Sequence, residues 1–158
     1  MIELKKITWD NWEECIGLEV TKEQNNFVAS NIYSLAQSYI HLTNDETPPF
    51  SYAIYKDNVM VGYTLYFYCA ADEDDPEDEE CYSICRFMID KRYQGKGYGR
   101  QAMLKILEHI RTFPQGKTNS VTLSFEPENI VAKNLYESLG FVETGEIDEG
   151  ELVMRLVL

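Results

Sequence analysis

Cys85-Arg86-Phe87-Met88-Ile89-Asp90-Lys91-Arg92-Tyr93-Gln94-Gly95-Lys96-Gly97-Tyr98-Gly99-Arg100 decides how this chain of 158 residues is read. The apolar run from Cys85 to Ile89 predicts a strand. It breaks at Asp90-Lys91-Arg92-Tyr93 and enters a turn with glycine at 95, 97 and 99. Beyond the turn, Ala102, Met103, Ile106, Leu107 and Ile110 recur on one face at helical spacing. Glycines at a helix start leave the first amides bare of Cβ shielding, and the helix dipole adds positive potential there. The pair makes an anion site suited to a phosphate or pyrophosphate. Lys96 and Arg100 add cationic side chains in an otherwise acidic chain.

A glycine turn by itself is also what a tight strand-to-helix connection needs. Two familiar phosphate loops do not fit. The P-loop ends in Gly-Lys-Ser/Thr, which is missing here. The dinucleotide fingerprint G-x-G-x-x-G would need glycine at 102, where the chain has Ala102. The spacing that fits is Q-x-x-G-x-G, on Gln94, Gly97 and Gly99. It resembles the acetyl-CoA pyrophosphate loop of the GNAT N-acetyltransferase superfamily.

Length and composition suit one domain over residues 1–158, with 44% hydrophobic and 13% aromatic residues to build a core. No apolar run approaches the ~20 residues a bilayer span requires. Met1-Ile2-Glu3-Leu4-Lys5-Lys6 lacks a signal-peptide core. The expectation is a cytoplasmic protein with no membrane partner. Net charge is −13, which argues against nucleic acid as a partner. Eight of the acids fall within residues 72–80, so most of the excess sits in one segment. The cysteines at 15, 69, 81 and 85 match neither a zinc framework nor C-x-x-C, so no metal is expected. Cys69, Cys81 and Cys85 lie in predicted strands and read as buried free thiols.

In chain order the pattern predicts a strand over Ile2–Ile7 and a short helix capped by Thr8 or Asp10 and running to Gly17. A longer helix follows, with Ile32, Leu35, Ala36, Tyr39 and Ile40 on one side. Phe50–Tyr55 and Val59–Ala70 form a hairpin about Lys56-Asp57-Asn58, although that turn lacks the usual Asn-Gly. After the acidic segment come the strand Tyr82–Ile89, the glycine loop and its helix, a strand Ser120–Phe125, and a helix Asn129–Leu139. That last helix has Ile130, Val131, Leu135 and Leu139 as its inner face and stops at Gly140. Phe141–Ile147 and Leu152–Leu158 close the chain. The fold class expected is α/β (α+β): one domain with a mixed, mainly antiparallel sheet and helices on both faces. This is also the GNAT element order.

A second motif strengthens the resemblance. Asn129-Ile130-Val131-Ala132-Lys133-Asn134-Leu135-Tyr136-Glu137-Ser138-Leu139-Gly140-Phe141 is similar to the GNAT signature N-x-x-A-x-x-L-Y-x-x-x-G-F. Seven positions are about two turns, so Asn129 and Tyr136 share a helix face. The resemblance implies acetyl-CoA as cosubstrate. It implies backbone groups of Phe87, Met88 and Ile89 along the pantetheine arm and the Gln94, Gly95, Lys96, Gly97, Tyr98, Gly99, Arg100 loop on the pyrophosphate. It also implies Asn129 on CoA and Tyr136 as the acid beside the sulfur. Asn129 reads equally as a helix cap, and Tyr136 as an amphipathic core residue.

An aliphatic amine with pKa ~10 arrives as ammonium and must lose a proton before it attacks. Glu19, Glu23 and Glu126 are candidates by position for the carboxylate end of a water chain. No activated nucleophile is visible, which favours direct transfer. Gln24-Asn25-Asn26-Phe27-Val28 and Arg86-Phe87-Met88-Ile89-Asp90 look most like the bacterial spermine/spermidine acetyltransferase branch. That resemblance implies a small polycationic amine as partner. The run at Asp72, Glu73, Asp74 and Asp75 is more acidic than a generic member carries, and its charge, with Glu19 and Glu23, makes these residues candidate attractors of such an amine. The acidic run is also readable as a solvated loop. A peptide, protein or aminoglycoside amine, or a non-catalytic CoA sensor, remains as the alternative, and a homodimer is possible.

Overall fold

The computed structural model describes all residues, Met1–Leu158. Seven strands form one sheet in the order β1-β2-β3-β4-β5-β7-β6: β1 Ile2–Lys6, β2 Phe50–Lys56, β3 Val59–Cys69, β4 Cys81–Ile89, β5 Ser120–Phe125, β6 Val142–Asp148 and β7 Glu151–Val157. Every neighbouring pair is antiparallel except β4–β5, which is parallel. The β2–β3 turn works without glycine because Asp57 and Asn58, at φ 48 and 72, both take the left-handed conformation that hairpin twist requires.

Four α-helices cover the sheet. α3 (Tyr98–Ile110) and α4 (Ile130–Ser138) pack on one face. There Met103, Ile106, Leu107 and Ile110 join Tyr66, Tyr82, Val121, Phe125, Tyr136 and Met154 in the largest apolar cluster. α1 (Trp12–Ile16) and α2 (Asn31–Asn44) cover the other face, where Cys15 and Leu18 meet Tyr63, Leu65 and Met88. A single 3₁₀ turn, Lys22–Gln24, lies between α1 and α2. The expected α/β class, its mixed sheet and its helices on both faces are all present. No helix is long and apolar enough to cross a membrane.

Several local expectations are corrected. Neither Thr8 nor Asp10 caps α1. Asn11 precedes the helix, and its Oδ1 accepts the Thr8 amide at 2.8 Å. In α2 the apolar residues Ile32, Tyr39 and Ile40 are exposed, while Asn31, Ser34 and Ser38 are buried with Leu35 beside them. Small side chains let this helix lie close to the sheet. Two of them are tied locally, Ser34 Oγ donating to the Ser30 carbonyl and Asn31 Nδ2 to the Cys15 carbonyl. Periodicity found the helix and misjudged which side faces in. In α4, Ile130 and Val131 are exposed and the inward side is carried by Tyr136, with Ala132, Leu135 and Leu139 packed against the core. The thiols are corrected too. Cys15 is buried, but Cys69 and Cys85 are exposed and Cys81 is only partly covered.

Candidate active site

β4 is the element that makes a site. It pairs with β5 only from Tyr82 to Ile84, although both strands continue. The cause is a bulge: Leu65 of β3 faces Arg86 and Tyr66 faces Ile84, so Cys85 is the extra residue. A bulge bends its strand and increases local twist, which turns the rest of β4 away from β5. The result is a wedge-shaped gap with one strand edge left unpaired.

Which groups face the gap follows from register. The Asp90 amide donates to the Val61 carbonyl, at 2.8 Å. Antiparallel pairs alternate between bonded and non-bonded, so Met88 turns its backbone groups to β3 while Phe87 and Ile89 turn theirs to the gap. Gln94 Nε2 takes the Ile89 carbonyl at 2.8 Å, leaving the Phe87 N–H and C=O and the Ile89 N–H as a short open edge. Met88, expected to share this role, instead fills the core under α1 and α2.

The glycine loop has the geometry of an anion cradle. Gly95 and Gly97 have φ +73 and +77, and a Cβ added at either would meet nothing within 3.5 Å in the chain. The amides of Gln94, Gly95, Lys96 and Gly97 donate to no group in the protein, and Gly97 stands at the N-cap of α3, whose first amides are free by construction. Cβ atoms here would occupy the approach a phosphate needs. Gly99 does a different job. Its missing Cβ would stand 3.8 Å from both Ile89 Cγ1 and Leu135 Cδ2. The end of β4, the start of α3 and the side of α4 converge there.

That convergence brings Asn129 and Tyr136 to the loop's side of the sheet. Asn129 Oδ1 accepts the Ala132 amide at 3.2 Å as the α4 cap, and its Nδ2 has no partner in the chain. Tyr136 is 8% exposed, its ring between Phe125 (6.3 Å) and Phe141 (5.9 Å). Its hydroxyl makes no hydrogen bond in the chain. The only enclosed side-chain N or O atoms without a partner are His41 Nε2 and Arg86 Nε, so the Tyr136 hydroxyl reaches solvent. Burial, with the Glu151 charge behind it, pushes this phenol far above the ordinary tyrosine value. It holds its proton throughout the usable pH range.

The candidate carboxylates are dispersed. Glu19 pairs with Lys91 Nζ at 2.8 Å, and that hydrogen bond and charge lower its pKa, which weakens it as a base. Glu23 lies in the 3₁₀ turn and Glu126 just past β5. Asp72, Glu73, Asp74 and Asp75 are exposed in the loop before Cys81. Along the strand that is roughly 20 Å from Phe87, at 3.3–3.4 Å per residue. The acidic segment is therefore attached to the opposite end of β4 from the glycine loop, and not beside the gap.

One residue escaped the sequence reading. Asp90, which has no site role in the sequence analysis, is 1% exposed and organises the loop. Its Oδ1 accepts from the Arg92 amide (3.0 Å) and Arg92 Nε (2.8 Å), and its Oδ2 accepts from the Glu19 amide (2.9 Å). Desolvation pushes the Asp90 carboxyl up, but the Arg92 guanidinium and these amides outweigh it and hold it below the usual range. The signal in sequence was an acid directly before Lys91-Arg92. Gln94 is likewise a positioning residue in this structure. Besides the Ile89 carbonyl, its amide exchanges two hydrogen bonds with that of Gln24, at 2.9 and 3.1 Å.

The bulged strand thus has an open edge and ends in a glycine loop whose amides are unpaired. A model of the Acetyltransferase (GNAT) family matches residues 3–141. The chain belongs to that family. It is an acetyl-CoA-dependent N-acetyltransferase, with acetyl-CoA as cosubstrate. Among curated proteins it is similar to the spermine/spermidine N(1)-acetyltransferase of Bacillus subtilis (strain 168), 29% identical over 155 residues, covering 97% of this chain and 96% of that one. In fold it is similar to the PaiA N-acetyltransferase of Thermoplasma acidophilum, solved in complex with coenzyme A. The TM-score is 0.69 at 14% identity, with 100% and 99% of the chains covered. It is also similar to the aminoglycoside acetyltransferase AAC(6')-Ib in complex with coenzyme A. That TM-score is 0.74 at 15% identity, with 99% and 95% covered.

Proposed function

We propose that this acetyltransferase acts on a primary amine of a small polycation of the spermine/spermidine kind, by direct transfer between bound partners. The observation that carries the proposal is the end-to-end similarity to the Bacillus subtilis enzyme, at 29% identity over 97% of the chain. The net charge of −13 agrees with it, because an acidic surface attracts a flexible multi-ammonium acceptor.

In this reading the free amides of Gln94–Gly97 and the α3 N-terminus, with Lys96 and Arg100, hold the pyrophosphate of the cosubstrate. The open edge at Phe87 and Ile89 takes the pantetheine arm as an added strand. Asn129 Nδ2 supplies one more donor. Tyr136 keeps its proton and delivers it to the departing thiolate. Burial keeps the phenol protonated at the alkaline pH where more of the acceptor is free amine, and it also makes the phenol a weaker donor. Glu23 and Glu126 remain as ends of a water chain for the amine proton, since Glu19 is committed to Lys91. Cys85 lies at the bulge with its thiol against Ser83 and no base beside it, which argues against an acyl-cysteine step.

The test is acetyl-CoA-dependent thiol release over a panel of spermine, spermidine, a monoamine, an amino-terminal peptide and an aminoglycoside. Spermine or spermidine should give the highest kcat/KM, by tenfold or more over the monoamine. An aminoglycoside or peptide at the top would overturn the acceptor assignment. No turnover on any amine, with CoA still raising the melting temperature, would instead favour a sensor.

A further inference from the structure

The end of β4 away from the glycine loop carries a pair of groups that acetyl transfer does not use. Cys69 is the last residue of β3, Cys81 the first of β4, and they are direct cross-strand partners. Opposed residues in an antiparallel pair have Cα atoms about 4.5–5.5 Å apart and side chains on one face. A disulfide spans Cα separations of about 4.4–6.8 Å. Both thiols are free. Cys69 is exposed and Cys81 partly so, which opens both to a small reagent. Neither of the other cysteines has such a neighbour. Cys15 is fully buried under α2, and Cys85 sits at the bulge with Ser83 as its contact.

The surroundings assign different roles to the two thiols. Cys81 Sγ lies 3.6 Å from Thr122 Oγ1, and Arg155, the cross-strand partner of Thr122, contributes a positive charge. The adjacent Cys69 thiol, then Thr122 and Arg155, hold the Cys81 thiol below its ordinary value against burial and the Asp78 charge. The same pairing pushes Cys69 up. Cys81 is therefore the attacking sulfur and Cys69 the resolving one.

The two cysteines stand at the neck of the acidic loop, residues 70–80. Within the loop the Asp72 amide donates to Asp78 Oδ2 (2.7 Å), the Asp74 amide to Asp72 Oδ1 (2.9 Å) and the Glu77 amide to Asp75 Oδ1 (3.0 Å). A covalent tie at the neck would fix the base of a loop whose tip is already ordered by its own carboxylates.

We propose that Cys69 and Cys81 form a reversible thiol–disulfide clasp that closes by exchange with a low-molecular-weight disulfide. The Cys81 thiolate attacks one sulfur of the reagent, breaking its S–S bond and releasing one thiolate. Cys69 then loses its proton to solvent and attacks Cys81 Sγ in the mixed disulfide, expelling the second thiolate. Two protein thiols are oxidised and one reagent disulfide is reduced to two thiols, which carry away the two protons. A reducing thiol reverses both steps.

The experiment treats the full-length protein with excess oxidised glutathione, quenches with iodoacetamide, and reads intact mass and a non-reducing peptide map. The expected result is a Cys69–Cys81 cross-linked peptide carrying no glutathione, reopened by dithiothreitol. It should come with a rise in melting temperature of roughly 5 °C or more, as expected for closing a loop of this length. Cys69→Ser should stall with glutathione held on position 81, and Cys85→Ser should close as the parent does. If Cys69→Ser fails to fold, the parent's peptide map decides. No cross-link in the parent, stable glutathione on both cysteines, or a bridge to Cys85 would each overturn the clasp. Closed and open forms should differ less than twofold in kcat with any amine that turns over, because Phe87 lies roughly 20 Å along β4.

Discussion

From Tyr82 to Ile84, β4 is bonded to β3 on one edge and to β5 on the other; from Phe87 to Ile89 it is bonded to β3 alone. The two halves have similar apolar composition, and both pack side chains into the core. What separates them is one extra residue, Cys85, which bends the second half off β5, and one buried acid, Asp90, which fixes where that half ends. The first half is architecture. The second keeps backbone groups free, a cost tolerated only where a ligand or water is to take them. In the function proposed above, the site comes from withholding a hydrogen-bond partner rather than from adding an unusual side chain.

The sharpest way to break the open half without touching the closed one is Tyr136→Phe. The ring stays packed on Phe125 and Phe141 while the proton donor goes. We expect kcat to fall by roughly 10- to 10⁴-fold, the span from partial rescue by water to full loss of acid catalysis. Melting temperature and the KM for acetyl-CoA should stay near the parent. An unchanged kcat, with acetyl transfer shown to limit the rate, would return Tyr136 to the core and leave the acid elsewhere.

Asp90→Asn tests the boundary between the halves. The variant keeps an acceptor for the Arg92 amide but loses the charge and sets an N–H₂ against either Arg92 or the Glu19 amide. The ion pair itself adds little because Arg92 is 60% exposed. The buried hydrogen bonds to the carboxylate dominate, and about 2 kcal/mol of stability should be lost at pH 7. That is roughly 4–8 °C in melting temperature for a chain of this size. The KM for acetyl-CoA should rise several-fold as the loop loosens. The folded pKa of Asp90 is depressed, so its contribution is present above the ordinary value of 3.8 and fades as pH falls below it. The gap between parent and variant should therefore close on acidification. A gap that stays constant from pH 7 to pH 3 would mean that the charge is not what holds the loop.

Much of this was legible in the sequence, and the failures share a cause. Strand and helix order, the glycine cradle and the α4 signature are local patterns whose period or spacing is physically dictated. The Cys85 bulge, the division of Met88 from Phe87 and Ile89, and the buried side of α2 are set by register against other strands, and one sequence does not print its register. Asp90 was missed for the same reason: a carboxylate before two basic residues reads as a solvated break until Glu19, distant in the chain, is seen to donate to it. Cys69 and Cys81 are unremarkable in sequence, and only the pairing of β3 with β4 makes them neighbours.

The smallest expected effect concerns the closed half, where the acidic loop is attached. The loop holding Asp72, Glu73, Asp74 and Asp75 joins β4 at Cys81, roughly 20 Å along the strand from Phe87, so its anchor stands away from the gap. Two modes of action on a polycation can be told apart by salt. Steering acts at long range and is screened once the Debye length, about 8 Å at physiological ionic strength, falls well below the separation. Contact with the far end of an extended polyamine would be screened much less. Replacing the four acids together, by Asn for Asp and Gln for Glu, removes charge while keeping acceptors for the amides that Asp72 and Asp75 cap. For spermine we expect KM to rise roughly two- to fivefold at about 10 mM salt and to match the parent at about 150 mM, with kcat unchanged. Monoamine kinetics should stay put at both. An effect that persists at 150 mM would place the loop in contact with the acceptor and so bring the two halves of β4 into one binding site. An identical KM across the whole salt series would leave residues 72–80 as solvated surface, and the polyamine assignment would then rest on sequence similarity alone.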